Sequence, residues 1–278
     1  MLKLIYMNTV ENNKKVALVT GAYGGIGLAV SKALIKNGYD VIGLDIEERE
    51  KVDNLHFYKI DITNEKSIIH AFRKIEKQYS EIDTIIHLAG IYDLNSLIEM
   101  DEEDFEKIFD INVFGVYRVN KVFIPLLKKK GKIVITTSEL APLDPLPFTG
   151  IYGITKATLD KYAYSLRMEL QLLDYQVVVL RPGAIKTGLL NVSTTKLEKF
   201  TNETNLYKYN ATKFKEVVDS VEAKSITPEK LADFLCKIIN KKKPKYVYSI
   251  NRNPFLRLLN ILPKRTQNWI IKKILETK

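Results

Sequence analysis

The chain has 278 residues and a formal net charge of +10, a length that fits one large α/β domain with a sizeable core. Its 46% hydrophobic and 27% charged residues are typical of a globular protein, and no apolar run is long enough to predict a transmembrane span. Residues 241–278 hold eight Lys and three Arg against one Glu, whereas residues 1–240 hold 32 basic and 32 acidic residues. This balance argues against nucleic-acid binding by the main body.

The N-terminus and the cysteine content predict a cytoplasmic protein. Met1–Tyr6 is too short for the apolar core of a secretory signal, and polar residues follow it. Cys236 is the only cysteine, so no intrachain disulfide can form. Because apolar residues surround it at helical spacing, Cys236 is predicted to be a buried structural thiol.

A strand, a glycine-rich turn and a helix are predicted near the start of the chain. Lys15–Thr20 has the pattern of a buried strand, and the helical pattern ends near Asn37 and Gly38. Glycines between them let the backbone approach a pyrophosphate, whose charge the helix N-terminus stabilises. A plain glycine-rich turn is the alternative. The residues of the predicted dinucleotide site are Gly21, Tyr23, Gly24, Gly25, Ile26 and Gly27.

The second predicted strand, residues 40–44, ends at Asp45, about 20 residues beyond the glycines. A carboxylate at this position can accept a hydrogen bond from a ribose 2′-hydroxyl and would repel a 2′-phosphate. No Lys or Arg lies in the glycine turn. NAD is therefore favoured over NADP, with Arg49 as the nearby basic residue that argues the other way.

Strands and helices alternate along the rest of the chain, which predicts a Rossmann-type doubly wound parallel sheet of about seven strands with helices on both faces. Residues 1–250 are predicted to form one catalytic domain, and the polar stretch 187–225 within it to be an irregular, flexible substrate loop. The further predicted strands are residues 56–60, 82–88, 132–136, 176–180 and 245–250. The further helices include 64–79, 101–127 with an interruption near Asn112 caused by Gly115, one carrying Tyr152 and one starting at Thr227.

Tyr152 and Lys156 are four residues apart and share one face of a predicted helix. A nearby cation favours the phenolate and lowers the pKa of a tyrosine, so the pair can transfer a proton near neutral pH. Tyr117 and Tyr209 precede a lysine by the same spacing. Only Tyr152 follows a strand-terminal residue, Ser138, by one proline-rich loop, and ligands of such sheets bind beyond the strands' carboxyl ends.

The ordered motifs resemble the short-chain dehydrogenase/reductase family over about residues 14–190. The matching residues are Thr20-Gly21-x-x-x-Gly25-Ile26-Gly27, Asn112, Ser138, Tyr152-x-x-x-Lys156 and Pro182-Gly183-x-Ile185-x-Thr187. The resemblance implies that Tyr152 is the general acid/base, and that Lys156 lowers its pKa and binds the nicotinamide ribose. It implies that Ser138 polarises the substrate oxygen and that Asn112 keeps a water linked to Lys156. Further implied cofactor contacts are Asp61, Ile62, Ala89, Gly90, Pro182, Gly183, Ile185 and Thr187.

One departure from the family pattern is His87-Leu88-Ala89-Gly90, where an Asn-Asn-Ala-Gly segment is usual. A histidine buried at a strand end is more often hydrogen-bonded structure than a base, and the three histidines lack ligand-like spacing, so no metal is predicted. The sequence predicts hydride transfer between NAD and a secondary alcohol or ketone. The alternatives are a dinucleotide-sensing or membrane-associated binding protein and a sugar-nucleotide epimerase.

The segment 251–278 alternates basic and apolar residues, and Pro263 separates two short predicted helices. It resembles the tails of family members that act on steroids or retinoids. Such an amphipathic element either lies on an anionic membrane, shapes an apolar substrate entrance, or packs on the body or a second subunit. The family resemblance further implies a homodimer or homotetramer.

Overall fold

The computed structural model describes residues 14–187 and 197–276. Within these residues one sheet contains seven parallel strands. The strands are β1 (Lys15–Thr20), β2 (Tyr39–Asp45), β3 (Leu55–Lys59), β4 (Ile82–His87), β5 (Leu127–Thr136), β6 (Gln176–Pro182) and β7 (Val247–Ile250). Their order in the sheet is β3-β2-β1-β4-β5-β6-β7.

Helices cover both faces of this sheet. They include α1 (Gly25–Lys36), α2 (Glu65–Ile75), α3 (Glu102–Phe109), α4 (Gly115–Phe123), α5 (Gly150–Leu170), α6 (Lys208–Glu222), α7 (Pro228–Ile239), α8 (Pro254–Ile261) and α9 (Lys264–Leu275). A π-helical turn, Asp110–Phe114, joins α3 to α4, and short 3-10 turns follow α4 and α5. The predicted fold class is confirmed.

The strand order reverses at β1, whose neighbours are β2 on one side and β4 on the other. Thr20 at the end of β1 pairs with Leu44 and His87, so the carboxyl ends of the three strands are level. In a doubly wound sheet a crevice opens at such a reversal, beyond the carboxyl ends of the strands. The fold therefore places the glycine turn and the segment after β4 at one crevice.

Successive strand residues face opposite sides of the sheet, and each side has its own core. Val19 and Val41 lie in the cluster with the apolar residues of α1 and α7. Leu18 and Ile42 lie in the cluster with those of α2, α4 and α5. Because both faces of each central strand are buried, these strands contain nearly continuous apolar runs.

The predicted helix over residues 101–127 is divided by the π-helical turn. Asn112 lies within the turn, and Gly115 begins α4 directly after it. A Cβ on Gly115 would lie 2.6 Å from Cδ1 of Ile62, so glycine permits close approach to the segment after β3. The prediction also began β5 five residues late, since Leu127 already pairs with Ile82.

The prediction of irregular backbone over residues 187–225 is wrong for α6. This helix buries Ala211 and Phe214, and Lys215 pairs with Asp219 one turn away on its exposed side. Its polar residues therefore form a solvated helix face rather than a loop. Residues 188–196 of the predicted loop lie outside the described residues, and the division into a body and a tail stays a prediction.

The tail contains two helices on either side of Pro263, as predicted. Helix α9 packs on α6, because Leu275 and Ile271 join Phe214 in one apolar cluster and Asn210 Nδ2 donates to Leu275 O at 2.8 Å. Other apolar residues of both helices are exposed. No described helix combines the length and apolar character that a bilayer crossing requires.

Candidate active site

The glycine turn between β1 and α1 has two positions that exclude a side chain. Gly21 has φ +67°, and a Cβ there would lie 2.8 Å from the backbone of Ala89. A Cβ on Gly27 would lie 1.9 Å from the carbonyl oxygen of Gly21. The N-cap residue, Gly24, offers no side-chain acceptor, and the first turn of α1 has no acidic residue. The positive end of the helix dipole is therefore left for a bound anion such as a pyrophosphate.

Asp45 lies at the carboxyl end of β2, beside the glycine turn. Its Oδ2 accepts a hydrogen bond from Tyr23 N at 2.8 Å, and its Oδ1 accepts one from Ile46 N at 2.8 Å. Each carboxylate oxygen can accept a further bond, so Asp45 can also bind a ribose hydroxyl. The ring of Tyr23 packs edge-on against Phe57 in the core, so Tyr23 reaches the turn only through its backbone.

Two residues predicted to contact the cofactor follow β3. Asp61 Oδ1 accepts hydrogen bonds from Thr63 N and Oγ1, at 2.9 and 2.7 Å. Ile62 packs against Gly115, and its carbonyl oxygen accepts from Arg118. These contacts fix the segment beside the crevice.

The segment after β4 lies between the glycine turn and the predicted catalytic residues Asn112 and Lys156. Thr20 Oγ1 accepts hydrogen bonds from Leu88 N and Ala89 N, both at 3.2 Å. A Cβ on Gly90 would lie 3.0 Å from Asn112 Oδ1 and 3.5 Å from Lys156 Nζ. Gly90 therefore lies against both the amide and the ammonium group.

Asn112 is fully buried in the π-helical turn and binds two other elements. Its Oδ1 accepts from Ile91 N, and its Nδ2 donates to Ile91 O, each at 2.9 Å. The same nitrogen donates to Thr155 Oγ1 at 3.2 Å, and Thr155 Oγ1 donates to Tyr152 O at 2.8 Å. Asn112 thus ties the segment after β4 to α5, and its expected water link to Lys156 stays a prediction.

Tyr152, Ser138 and Lys156 come together at the end of β5. A side-chain hydrogen bond joins Tyr152 to Ser138. Lys156 Nζ lies 5.6 Å from the centre of the Tyr152 ring and donates to Thr136 O at 3.3 Å. The nearby Thr137 hydroxyl bonds to Asp160 and Leu180 O. Ser138 Oγ also accepts a hydrogen bond from Leu140 N at 3.2 Å, so it holds the turn after β5 as well as contacting Tyr152.

The acid strengths of this pair differ from the sequence expectation. Burial raises the pKa of Tyr152 to about 12, against the opposing effect of the Ser138 hydrogen bond. Burial also lowers the pKa of Lys156 to about 8. Desolvation thus outweighs the effect of the Ser138 hydrogen bond, and the pKa of Tyr152 lies above rather than below its ordinary value.

The other two tyrosine and lysine pairs lie on the surface. Tyr117 on α4 is 46% exposed, and Tyr209 on α6 is 70% exposed. Neither lies on a segment that ends a strand, whereas Tyr152 is hydrogen-bonded to Ser138 just beyond β5.

The segment after β6 lies against the glycine turn. A Cβ added to Gly25 would lie 3.0 Å from Thr187 Cβ. Ile185 is buried and forms a bridge with Ile226, so it supports this segment from the core. Pro182 O accepts from Glu139 N at 2.8 Å, and a Cβ on Gly183 would lie 1.9 Å from a carbonyl oxygen of the tail.

Three residues at the site, Tyr92, Thr155 and Glu139, were not predicted from the sequence. The ring of Tyr92 packs edge-on against Tyr152, with centroids 4.5 Å apart, and burial raises its pKa. Thr155 lies inside the Tyr-x-x-x-Lys motif, and Glu139 directly follows Ser138. Each of the three residues lies within or close to a predicted motif, and this proximity was the signal that could have identified them.

His87 is a buried structural residue, as predicted. Its Nε2 lies 2.8 Å from Asn120 Oδ1, and Asn120 Nδ2 donates to Tyr162 OH at 3.1 Å. Burial lowers the pKa of His87 to about 4. Cys236 is also buried, and burial raises the pKa of its thiol to about 11. The described residues contain no cluster of three or more His, Cys, Asp or Glu suited to a metal ion.

Comparison with known proteins identifies relatives along nearly the whole chain. An uncharacterized oxidoreductase, YusZ, from Bacillus subtilis is 28% identical, and the match covers 94% of this chain and 98% of YusZ. A 3-ketodihydrosphingosine reductase from Bacteroides thetaiotaomicron is 24% identical, and the match covers 92% of this chain and 93% of that enzyme. The aldohexose dehydrogenase of Thermoplasma acidophilum shares the fold, with a TM-score of 0.72 at 22% identity over 87% of this chain and 96% of that structure.

The family model for the short chain dehydrogenases matches residues 15–198. That segment contains the glycine turn, the residues around Tyr152 and the segment after β6. The family consists of oxidoreductases that use NAD(P) and act on small alcohols and ketones. The chain belongs to the short-chain dehydrogenase/reductase family.

Proposed function

We propose that this protein transfers a hydride between NAD(H) and a secondary alcohol or ketone, with Tyr152 as the general acid/base. The observation that carries the proposal is the hydrogen-bonded pair of Tyr152 and Ser138, which lies beside Lys156 at the crevice of the sheet. A bound nicotinamide supplies the hydride acceptor or donor but does not handle the proton on the substrate oxygen. Tyr152 has that second role.

The raised pKa of Tyr152 bears on the direction of proton transfer. A phenol with a pKa of about 12 is protonated at neutral pH, so it can donate a proton to the oxygen of a ketone that is being reduced. Ser138 donates a hydrogen bond to the same oxygen and stabilises its developing charge. Lys156 contributes positive charge beside the phenol below its own pKa of about 8.

Asp45 supports NAD as the preferred cofactor, because a carboxylate at the end of β2 repels a 2′-phosphate. Comparing NADH and NADPH in an absorbance assay tests this preference. We expect Asp45→Ala to reduce the preference for NADH by roughly 10-fold or more, the value of one charge-assisted hydrogen bond. An unchanged cofactor ratio in Asp45→Ala would count against the role of Asp45.

An apolar groove whose lining includes Glu139, the residue after Ser138, supports a lipophilic substrate, with steroid- or retinoid-like ketones as the first candidates. The relative from Bacteroides thetaiotaomicron, named as a reductase of 3-ketodihydrosphingosine, also acts on a ketone. Assays with steroids, retinoids, long-chain ketones and sugars will test this. We expect the lipophilic ketones to be reduced, and turnover of the sugars alone would refute the substrate class.

The tail supports peripheral membrane contact by a cytoplasmic protein. Phe255, Leu258 and Trp269 are 69%, 61% and 61% exposed and lie among basic residues, the composition of an interfacial helix. We expect the full chain to co-sediment with anionic liposomes and a variant with these three residues changed to Ser to lose binding. Tyr209→Ser, which removes an exposed ring from α6, is the control. Equal binding by all three proteins would dismiss the membrane contact.

The family resemblance further supports a homodimer or homotetramer. Light scattering on the purified full chain gives the mass directly. We expect two or four times the 31.9 kDa of one chain, and a monomer at micromolar concentration would contradict this part of the proposal.

A further inference from the structure

The two tail helices and α6 enclose an apolar groove of about 760 Å³. This volume lies within the range of pockets that bind drug-sized ligands. Among its lining residues are Phe214 and Val217 of α6, Phe255 and Leu259 of α8, and Ile271 of α9. An aliphatic or polycyclic group would transfer from water into this groove favourably.

Two residues that line the groove directly follow predicted site residues in the chain. Glu139 and Ala184 line its inner end, and they directly follow Ser138 and Gly183 in the chain. Ser138 and Tyr152 are not among the lining residues. A substrate whose oxygen binds Ser138 would therefore pass Glu139 before its apolar part enters the groove.

Glu139 is a buried carboxylate, with 8% of its surface exposed. Its Oε2 accepts a hydrogen bond from Asn253 N at 2.6 Å, at the N-terminus of α8. Its Oε1 lies against Gly183, where a Cβ would be 2.9 Å away. Within residues 14–187 and 197–276, no ion pair and no second hydrogen-bond donor satisfies this carboxylate.

One part of this arrangement has a structural explanation. The bond to Asn253 N anchors the tail, and the positive end of the α8 dipole favours a carboxylate there. That explanation accounts for Oε2 alone. Burial raises the pKa of Glu139, since Asn253 and the exposed Arg252 do not fully offset desolvation. Arg252 therefore offsets only part of the cost of burying this carboxylate, and a cation bound at Oε1 would offset the rest.

We propose that Glu139 determines specificity by binding a protonated amine of the substrate, close to the reacting carbon, while the apolar chain of the substrate lies in the groove. This inference rests on the proposed function and specifies its substrate class as lipophilic amino alcohols and amino ketones. The amine must lie close to the reacting carbon because Glu139 and Ser138 are consecutive. The ammonium donates to Oε1, which leaves the bond between Oε2 and Asn253 intact.

The kinetic test compares a long-chain 2-amino-3-alcohol with the same 3-alcohol lacking the amine, oxidised with NAD⁺ by the full chain and by Glu139→Gln. In this oxidation the hydride passes from the carbinol carbon to NAD⁺ and the hydroxyl proton passes to the phenolate form of Tyr152, which is restored when that proton is released to solvent before the next turnover. Gln can still accept from Asn253 N but carries no charge. We expect a preference of roughly 10- to 100-fold in kcat/KM for the amino alcohol, the range of a charge-assisted hydrogen bond. Glu139→Gln should abolish this preference and leave the rate with the plain alcohol within about 2-fold.

Equal loss of both activities in Glu139→Gln would assign Glu139 to anchoring the tail and overturn the inference. The absence of any preference in the unaltered protein would overturn it too, while the proposed function would stand.

A binding test separates the inference from the proposed function. Isothermal titration of Tyr152→Phe with the two alcohols measures affinity without turnover. Tighter binding of the amino alcohol, lost in the double variant Tyr152→Phe/Glu139→Gln, supports the role of Glu139 even if the unaltered protein oxidises neither alcohol. Equal affinity for the two alcohols, or binding of neither, overturns it.

Discussion

The crevice at the carboxyl ends of the strands and the groove beneath the tail helices are built in opposite ways. In the crevice, polar side chains are buried and bonded to one another, as Asn112 is to Thr155 and Tyr152 is to Ser138. In the groove, apolar side chains are partly exposed, and the buried carboxylate of Glu139 has one hydrogen bond. The first region fixes the positions of reacting groups, whereas the second leaves an apolar surface for a ligand to cover.

The two regions also differ in charge. Residues 1–240 are electrically balanced, whereas residues 241–278 carry the whole excess of +10. The excess positive charge therefore lies in the tail, which forms one side of the groove, whereas the crevice belongs to the electrically balanced part of the chain. Variants in the crevice should therefore alter catalysis and stability strongly, and variants in the tail should alter which ligands bind.

The largest expected effect is that of Gly27→Ala in the glycine turn. Because the new Cβ would lie 1.9 Å from Gly21 O, the turn must open. We expect NADH affinity to fall by roughly 100-fold or more, and the free energy of unfolding by about 3 kcal/mol. Fluorescence titration with NADH measures the affinity. Gly153→Ala is the matched control, since nothing outside its own helix lies within 4 Å of its Cβ position. Equal affinities for both variants would contradict the model of a tight turn.

A smaller effect is expected from the ion pair that fixes α5 to β6. Arg181 binds both oxygens of Asp160 at 2.9 and 2.6 Å, and these side chains are 19% and 14% exposed. Asp160→Asn leaves the largely buried guanidinium without its counter-charge, which should cost about 3 kcal/mol. Urea unfolding measures the change.

The tail offers the matched comparison for that pair. Lys264 pairs with Asp144, but the lysine side chain is 68% exposed. Lys264→Ala should therefore cost at most about 1 kcal/mol in the same urea experiment. If Lys264→Ala lowered the free energy of unfolding as much as Asp160→Asn, the proposed contrast between a rigid crevice and a weakly held tail would be wrong.

The pH dependence of stability tests the buried network of His87. The pKa of His87 is about 4 in the folded protein and 6.5 in the unfolded chain, so the unfolded state binds the proton first. The contribution of His87 is complete above pH 6.5 and is lost as the pH falls towards 4. At pH 5 the loss amounts to about 2 kcal/mol.

Urea unfolding at pH 7 and pH 5 checks this expectation. His87→Asn cannot take up the proton and should lose about 2 kcal/mol less between the two pH values. His70→Asn, which changes an exposed histidine, should behave like the unaltered protein. If His87→Asn lost as much stability between pH 7 and pH 5 as the unaltered protein, the assignment of His87 as a neutral, buried side chain would be wrong.

Features encoded by neighbouring residues were predictable from the sequence. The strands followed from short apolar runs, and the glycine turn followed from glycines between a strand and a helix. The end of α1 at Asn37 and the Thr227 cap of α7 were predicted for the same local reason. Convergence of the strand ends then brought Ser138 to Tyr152, although the two are 14 residues apart.

Features that depend on distant contacts were not predictable. Polar residues concealed α6 because its helix is stabilised by burying Phe214 against Phe148 and Phe200. The pKa of Tyr152 depends on burial by the surrounding fold, which spacing alone does not reveal. The position of Glu139 at the inner end of the groove requires the tail, more than 100 residues away, to be folded against it.

The central claim is that Tyr152 transfers the proton, and Tyr152→Phe tests it most directly. We expect kcat to fall by about 10²- to 10⁴-fold with the best substrate of the panel, the range of general acid/base catalysis. NADH affinity should stay within about 2-fold, because Phe keeps the ring that packs against Tyr92. Tyr117→Phe should retain full turnover. Full activity in Tyr152→Phe together with loss of activity in Tyr117→Phe would contradict the assignment.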